Sequence, residues 1–278
     1  MTVMTEPTSE VTGEAIASNV SLGLEETRLT TFGTNPHGGA IDHELTRCGV
    51  RVIQAGHPAA RTSTTTTGPG RPDAHTDVPS CAHLHIGSLA VGRAPGVEDV
   101  ARLVSRQHPD TTISYDVSVT PSAMGPQDTA IAQIDEMISR SDIVKLSDED
   151  LAWLRPGDRH GDAIRWLMSR GPAILVLTHS DTAATGYTRS GSVRVRGRRV
   201  EVANTAEWGD TFMAGLLHAL TGRDLLAHRT DRRLRSIGLD DVRRILRDAN
   251  LFTAQSVTPA AVRTPRLAAL APAGSCEN

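Results

Sequence analysis

Residues 204–215 read Asn-Thr-Ala-Glu-Trp-Gly-Asp-Thr-Phe-Met-Ala-Gly, and the chemistry of the chain concentrates there. Val200 and Val202 close a β-like run, Asn204 and Thr205 are loop and cap residues, and Phe212 to Leu220 is an apolar helical run. Asp210 therefore stands at a helix start, where backbone N–H groups point outward with positive partial charge. Gly209 before it lets a phosphate approach the backbone closely. The plainer alternative is an N-capping Asp that opens a buried helix, and local sequence leaves both open.

Three further segments carry polar groups at useful spacing. Ser147 and Asp150, three apart after the run Ile143-Val144-Lys145-Leu146, have the spacing of a capping box. Thr178 to Ala184 is a polar loop that follows an apolar strand. His83 and His85 lie two apart and share a strand face, but no third ligand stands near enough in sequence to make a metal site. Arg194, Arg196, Arg198 and Arg199 read as a solvated basic face, and Trp153 and Trp166 as packing residues.

The elements that must position these groups follow an α/β pattern. Leu84 to Ala90 is a buried strand and Val97 to Val104 a helix with one apolar face. Strand 112–116, helix 131–138, strand 143–146 and a helix opening over 148–154 come next. The near-continuous apolar strand 173–178 is of the kind found in parallel sheets covered on both faces. Strands alternating with helices give a three-layer α/β/α domain. Val193 to Val202 alternates around Gly197 and suits a hairpin, and Asp240 to Ala254 is a last amphipathic helix. Upstream, Glu14 to Leu24 and Ala40 to Leu45 read as helices, and a strand starts near Gly49. Residues 57–80, rich in Pro, Gly and Thr, hold no apolar alternation and read as a flexible loop.

Length and composition bound the function. A chain of 278 residues suits one large α/β domain or two small ones. The net charge of -3 argues against a strongly basic nucleic-acid surface. No run of about 18 apolar residues is present to span a membrane. Cys48, Cys81 and Cys276 show no metal spacing and read as reduced thiols of a cytoplasmic protein. Met1 to Glu10 lacks the basic start and apolar segment of a secretory signal.

Residues 204–217 resemble the second signature of the PfkB (ribokinase-like) carbohydrate kinases, D-T-x-G-A-G-D-x-F-x-x-G. Thr205, Gly209, Asp210, Phe212 and Gly215 fall in register, while Asn204, Glu207 and Trp208 depart from it. Residues 142–154 resemble the V-K-x-[N/S]-x-x-[E/D] motif of the fructokinase-like branch, with Lys145, Ser147 and Asp150 in place. Asp116 and Pro121 match two positions of D-P-N-x-R-P. Thr178 and Ala184 match the T-L-G-x-x-G-A loop, with Ser180 and Ala183 where glycines are usual. Asn19, Ser21 and Gly38 match a diluted first signature, with Glu14 and Ala15 in place of its Gly-Gly pair. The strand that normally precedes it is not legible in the first 18 residues, which implies a lost strand or a start upstream of Met1.

The resemblance implies a three-layer ribokinase-like fold with a mostly parallel sheet and a reduced or absent β lid at 57–80. It implies a kinase domain over 13–265, with disordered residues at 1–12 and a flexible tail at 266–278. It implies an ATP- and Mg²⁺-dependent kinase of a sugar or sugar-like acceptor, with Asp210 as base and Gly209 in the anion hole. Thr178, Ser180, Ala183, Thr205, Glu207, Trp208 and Lys145 would lie on the nucleotide side, with adenine between the 178–184 loop and the C-terminal helix. Asn19, Gly38 and Asp116 would hold the acceptor, and Asp150 would guide Mg²⁺ indirectly. No nucleic-acid or membrane partner is implied, and a homodimer is compatible with the family. The altered anion hole keeps a second class open, a non-catalytic nucleotide- or sugar-binding relative.

Overall fold

The structure, a computed structural model, describes residues 2–4, 27–30, 51–54, 81–87, 96–107, 111–121, 124–180, 182–197, 208–226 and 233–256. Their strands are β1 (Thr2–Met4), β2 (Thr27–Thr30), β3 (Arg51–Gln54), β4 (His83–Ile86), β5 (Thr112–Asp116), β6 (Ile143–Ser147), β7 (Ile174–Thr178), β8 (Ala183–Thr188) and β9 (Gly191–Arg196). Their α-helices are α1 (Gly96–Gln107), α2 (Gln127–Arg140), α3 (Asp148–Leu154), α4 (His160–Ser169), α5 (Trp208–Thr221) and α6 (Leu239–Ser256). One sheet runs in the order β3-β2-β1-β4-β5-β6-β7-β8-β9. It is parallel from β3 to β7, and β8 and β9 add an antiparallel pair.

Side-chain alternation along the strands builds the layers. Leu84, Ile113, Tyr115, Val144, Leu146, Leu175 and Leu177 pack with α1, α2, α3 and α4 on one face. Ile143, Ile174, Val176, Ala184, Val193 and Val195 pack with α5 and α6 on the other. Covering both faces explains the continuous apolar runs of β6 and β7 and gives the three-layer α/β/α architecture. At the second face α5 lies tight on α6, because a Cβ on Gly215 would come within 2.9 Å of Phe252 Cβ and 3.1 Å of the Ala249 backbone. Trp166 packs on the first core, with the guanidinium carbons of Arg155 and Arg170 4.6 and 4.7 Å from its ring centre.

One expectation is corrected. A strand is present ahead of Asn19: β1 sits inside the sheet, paired in parallel with both β2 and β4. Three residues are too few to show a period, so neither β1 nor β2 was legible. β8 pairs with β9 through a two-residue turn at 189–190, before Gly191 at φ +129°. The second half of the hairpin read at 193–202 lies outside the described residues. The alternation of buried Val193 and Val195 is real, but it fixes a face and not the position of a turn. The helices read at 14–24 and 40–45 and the loop read at 57–80 lie outside the described residues.

Candidate active site

Asp116 and Lys145 are register partners on adjacent parallel strands, so the sheet itself sets them side by side. Their neighbours Tyr115, Val144 and Leu146 face the α1–α4 core, and alternation turns Asp116 and Lys145 toward the α5 face. Lys145 Nζ stands 2.9 Å from Asp116 Oδ1 and donates to Oδ2 at 3.2 Å. Both side chains are buried, so solvent screens the pair little. The Lys145 ammonium thus lies within reach of both carboxylate oxygens of Asp116.

Burial pulls the Lys145 pKa down, but the Asp116 carboxylate outweighs it, with Asp210 and Asp150 adding to the same effect, and the net direction is upward. The ammonium is retained at neutral pH. Burial pushes the Asp116 carboxyl up and Lys145 opposes it.

The first turn of α5 faces this pair. A Cβ built on Gly209 would lie 3.0 Å from Lys145 Nζ, so glycine is what admits the ammonium to the helix start. Trp208, half-buried, is the first residue of α5, and Asp210 lies in its first turn. A helix N-terminus is positive, and a lysine beside it is unfavourable unless an anion lies between them. Asp116 and Asp210 supply the opposing charge in the ligand-free protein.

Asp150 is placed by the capping box expected from sequence. Its Oδ2 accepts from Ser147 N at 2.8 Å and Ser147 Oγ at 2.6 Å, while its own N–H donates to Ser147 Oγ at 3.0 Å. Its Oδ1 accepts from Val119 N at 2.7 Å, which ties the chain leaving β5 to the start of α3. Mg²⁺ asks for only one or two carboxylates beside phosphate oxygens and water. Among the described residues no group of three or more His, Cys, Asp or Glu is placed to hold a metal. Both Asp150 oxygens are engaged, so the residues fit a Mg²⁺ carried in on phosphates and steadied through water.

The β7–β8 loop follows Thr178, which pairs with Ser147 across the sheet. Its anchor is His179, which the sequence reading passed over. His179 Nδ1 lies 2.7 Å from Asp148 Oδ2 and Nε2 lies 2.8 Å from Thr185 Oγ1. These contacts fasten the loop to the start of α3. The backbone closes through His179 N to Ala183 O at 2.8 Å and Thr182 N to His179 O at 3.0 Å. Thr182 takes φ +65°, whereas Ala183 is a buried strand residue that needs no glycine. Ser180 is exposed in the turn.

His83 and His85 form no metal pair. His83 Nε2 and His85 Nδ1 each lie 2.8 Å from Ser114 Oγ, and the hydroxyl bridges the two rings. Burial lowers both pKa values, that of His83 with help from His85 and that of His85 to about 3 with help from Lys145, so both rings are neutral. The structure thus brings Asp116, Lys145 and Gly209 together, with Asp210 and Asp150 close enough to act on Lys145. Asn19, Gly38, Thr205 and Glu207 lie outside the described residues.

The model of the pfkB family carbohydrate kinases matches residues 40–265. A fructokinase of Rhizobium leguminosarum bv. trifolii is 37% identical over 150 residues, which cover 54% of this chain and 46% of that protein. A probable chloroplastic fructokinase of Arabidopsis thaliana is 28% identical over 157 residues, covering 56% of this chain and 37% of that protein. The chain thus spans about half or less of the length of these two curated relatives. Among solved structures, a fructokinase double mutant of Vibrio cholerae O395 with fructose, ADP and potassium superposes with a TM-score of 0.80 at 17% identity, covering 97% of this chain and 96% of that one. The aminoimidazole riboside kinase of Salmonella enterica, with its riboside and an ATP analogue, gives 0.76 at 18% identity, covering 97% and 98%. The solved structures share the fold, and with the family model matching most of its length the chain belongs to the pfkB family of carbohydrate kinases.

Proposed function

We propose that the chain is an ATP-dependent phosphotransferase that phosphorylates a hydroxyl of a sugar or sugar-like acceptor. One observation carries the reading: the buried Lys145 ammonium and the positive end of α5 converge with no side chain at Gly209 between them. Two fixed positive groups aimed at one point suit the charge on a transferring phosphoryl group. In this mechanism Asp210 accepts the proton of the attacking hydroxyl. Lys145, steadied by Asp116, stabilises the phosphoryl oxygens, and Asp116 lies on the acceptor side. Mg²⁺ on the phosphates would supply further charge neutralisation.

Thr178, Ser180 and Ala183 form the nucleotide side, held by His179. The enzyme is proposed to work in the cytoplasm and as a homodimer. One observation favours the non-catalytic reading: a bulky Trp208 opens α5 where the family has a small residue. Incubation with ATP, Mg²⁺ and a panel of hexoses, pentoses and ribosides, followed by mass spectrometry, tests the proposal. A sugar phosphate formed at the expense of ATP is the expected product. No phosphorylated product with any acceptor, with ATP bound, supports the non-catalytic relative.

A further inference from the structure

A buried polar stripe crosses three adjacent strands on the α5 face of the sheet. It runs through His83 and His85 on β4, Ser114 and Asp116 on β5, and Lys145 on β6. Their neighbours Leu84, Ile113, Tyr115, Val144 and Leu146 pack into the α1–α4 core, so alternation turns the stripe the other way. Register sets His85 beside Ser114, and Asp116 beside Lys145 two residues further along. Elsewhere this layer is built from Ile143, Ile174 and Val176. Two buried imidazoles in such a layer are costly unless they are bonded and serve a purpose. The phosphoryl chemistry uses Asp116 and Lys145 and leaves the histidines without a role.

The hydroxyl of Ser114 has one proton to give. With both rings neutral, it donates to one ring and accepts from the other. His83 meets it through Nε2 and His85 through Nδ1, so the two proton orders are linked. Either both rings carry hydrogen on Nε2 or both carry it on Nδ1. His85 is therefore tied at one nitrogen, and Lys145 is the charged residue that helps burial to keep it neutral. We propose that His85, locked by Ser114, is a positioning residue for Lys145: its neutral ring fixes, from β4, where the ammonium stands at the start of α5. Asp116 holds the same ammonium from β5, but a carboxylate also cancels its charge. An imidazole dipole adds a second hold and leaves the charge for a phosphoryl group. This rests on Lys145 as the phosphoryl-binding group of the proposed kinase and adds the residue that acts through it.

Calorimetric titration of the whole chain with tripolyphosphate tests this. Wild type, His85→Leu and His85→Asn are compared, each also in a background of Lys145→Met with Asp116→Leu, which removes the buried pair together. Asn keeps an amide where Nδ1 meets Ser114 and drops the far side of the ring, so it serves where the Leu variant does not fold. With Lys145 present, either substitution is expected to weaken tripolyphosphate binding roughly tenfold, the worth of one hydrogen bond to a charged group. In the background without Lys145 neither is expected to change it, because a residue that acts through Lys145 has nothing left to act on. Equal losses in both backgrounds, or no loss with Lys145 present, overturn the proposal. Affinity and not turnover is read, so a chain that binds tripolyphosphate but phosphorylates no acceptor fails the kinase reading alone. A wild type that does not bind tripolyphosphate overturns both. Nitrogen-15 spectra of the histidines at neutral pH read the lock without a ligand. Both rings are expected to be neutral with hydrogen on the same-named nitrogen, and unlike tautomers or a charged ring overturn the lock and the proposal with it.

Discussion

Lys145 Nζ occupies the space that a side chain at Gly209 would need, 3.0 Å from the position of its Cβ. The two residues come from opposite sides of one problem. β6 carries a lysine into the layer between sheet and helix, and α5 starts with a residue that leaves room for it. The Asp116 pair makes the buried charge tolerable.

The pair itself can be taken apart. Lys145→Met or Asp116→Asn alone is expected to cost about 3–5 kcal/mol of stability, because each strands a buried partner. Lys145→Met with Asp116→Leu is expected to recover most of that in urea titrations, yet to stay at least about 10²-fold slower in phosphoryl transfer. A double variant as unstable as the singles contradicts the pairing.

Gly209→Ala tests the approach directly. The ammonium must shift by a few tenths of an ångström while the helix remains intact. Melting temperature is expected to hold, and turnover to fall roughly tenfold or more, since small misplacements at a reacting centre are costly. Wild-type turnover in this variant would remove Lys145 from the phosphoryl site.

The neutral histidines predict a pH dependence. A folded-state pKa depressed below the unfolded value of 6.5, to about 3 for His85, gives stability that is present above pH 6.5 and lost as pH falls toward 3. The His85 ring contributes a slope of about 1.4 kcal/mol per pH unit in that window, and His83 acts in the same direction. Replacing His83 by Gln and His85 by Asn is expected to flatten the loss between pH 6 and 4 relative to wild type. Equal slopes by urea titration would show that the rings are charged in the fold.

Trp208 and Glu207 take sequence positions where the family signature has small residues, in the segment proposed to bind the phosphoryl group. A carboxylate about 4 Å from a phosphate repels it by about 1 kcal/mol or more even at the dielectric of water. Slow turnover is expected of the natural chain, and Glu207→Gly with Trp208→Ala is expected to raise it tenfold or more in a coupled ADP assay. Brisk turnover by the unmodified chain would contradict this and make Trp208 part of the acceptor site.

The legible parts of the fold were those with local causes. The apolar runs of β6 and β7, the Ser147–Asp150 cap and the Gly209–Asp210 helix start each announce themselves within a few residues. The illegible parts depend on distant partners. β1 is defined by its neighbours and not by its three residues. The Asp116–Lys145 pair joins residues from two strands that only the sheet register brings together. His179 has no periodic signal, and its role rests on Asp148 and Thr185. The substitution at Ala183 looked like a lost glycine, but the left-handed residue is Thr182, one position earlier.

The measurement closest to the central claim compares wild type and Asp210→Asn for ATP affinity and for sugar phosphate formed per unit time. The account predicts nearly equal ATP affinity and a fall in turnover of roughly 10²–10⁴, the scale of general base catalysis. Equal turnover in the two proteins would contradict it, since Asp210 at the start of α5 would then take no part in the reaction.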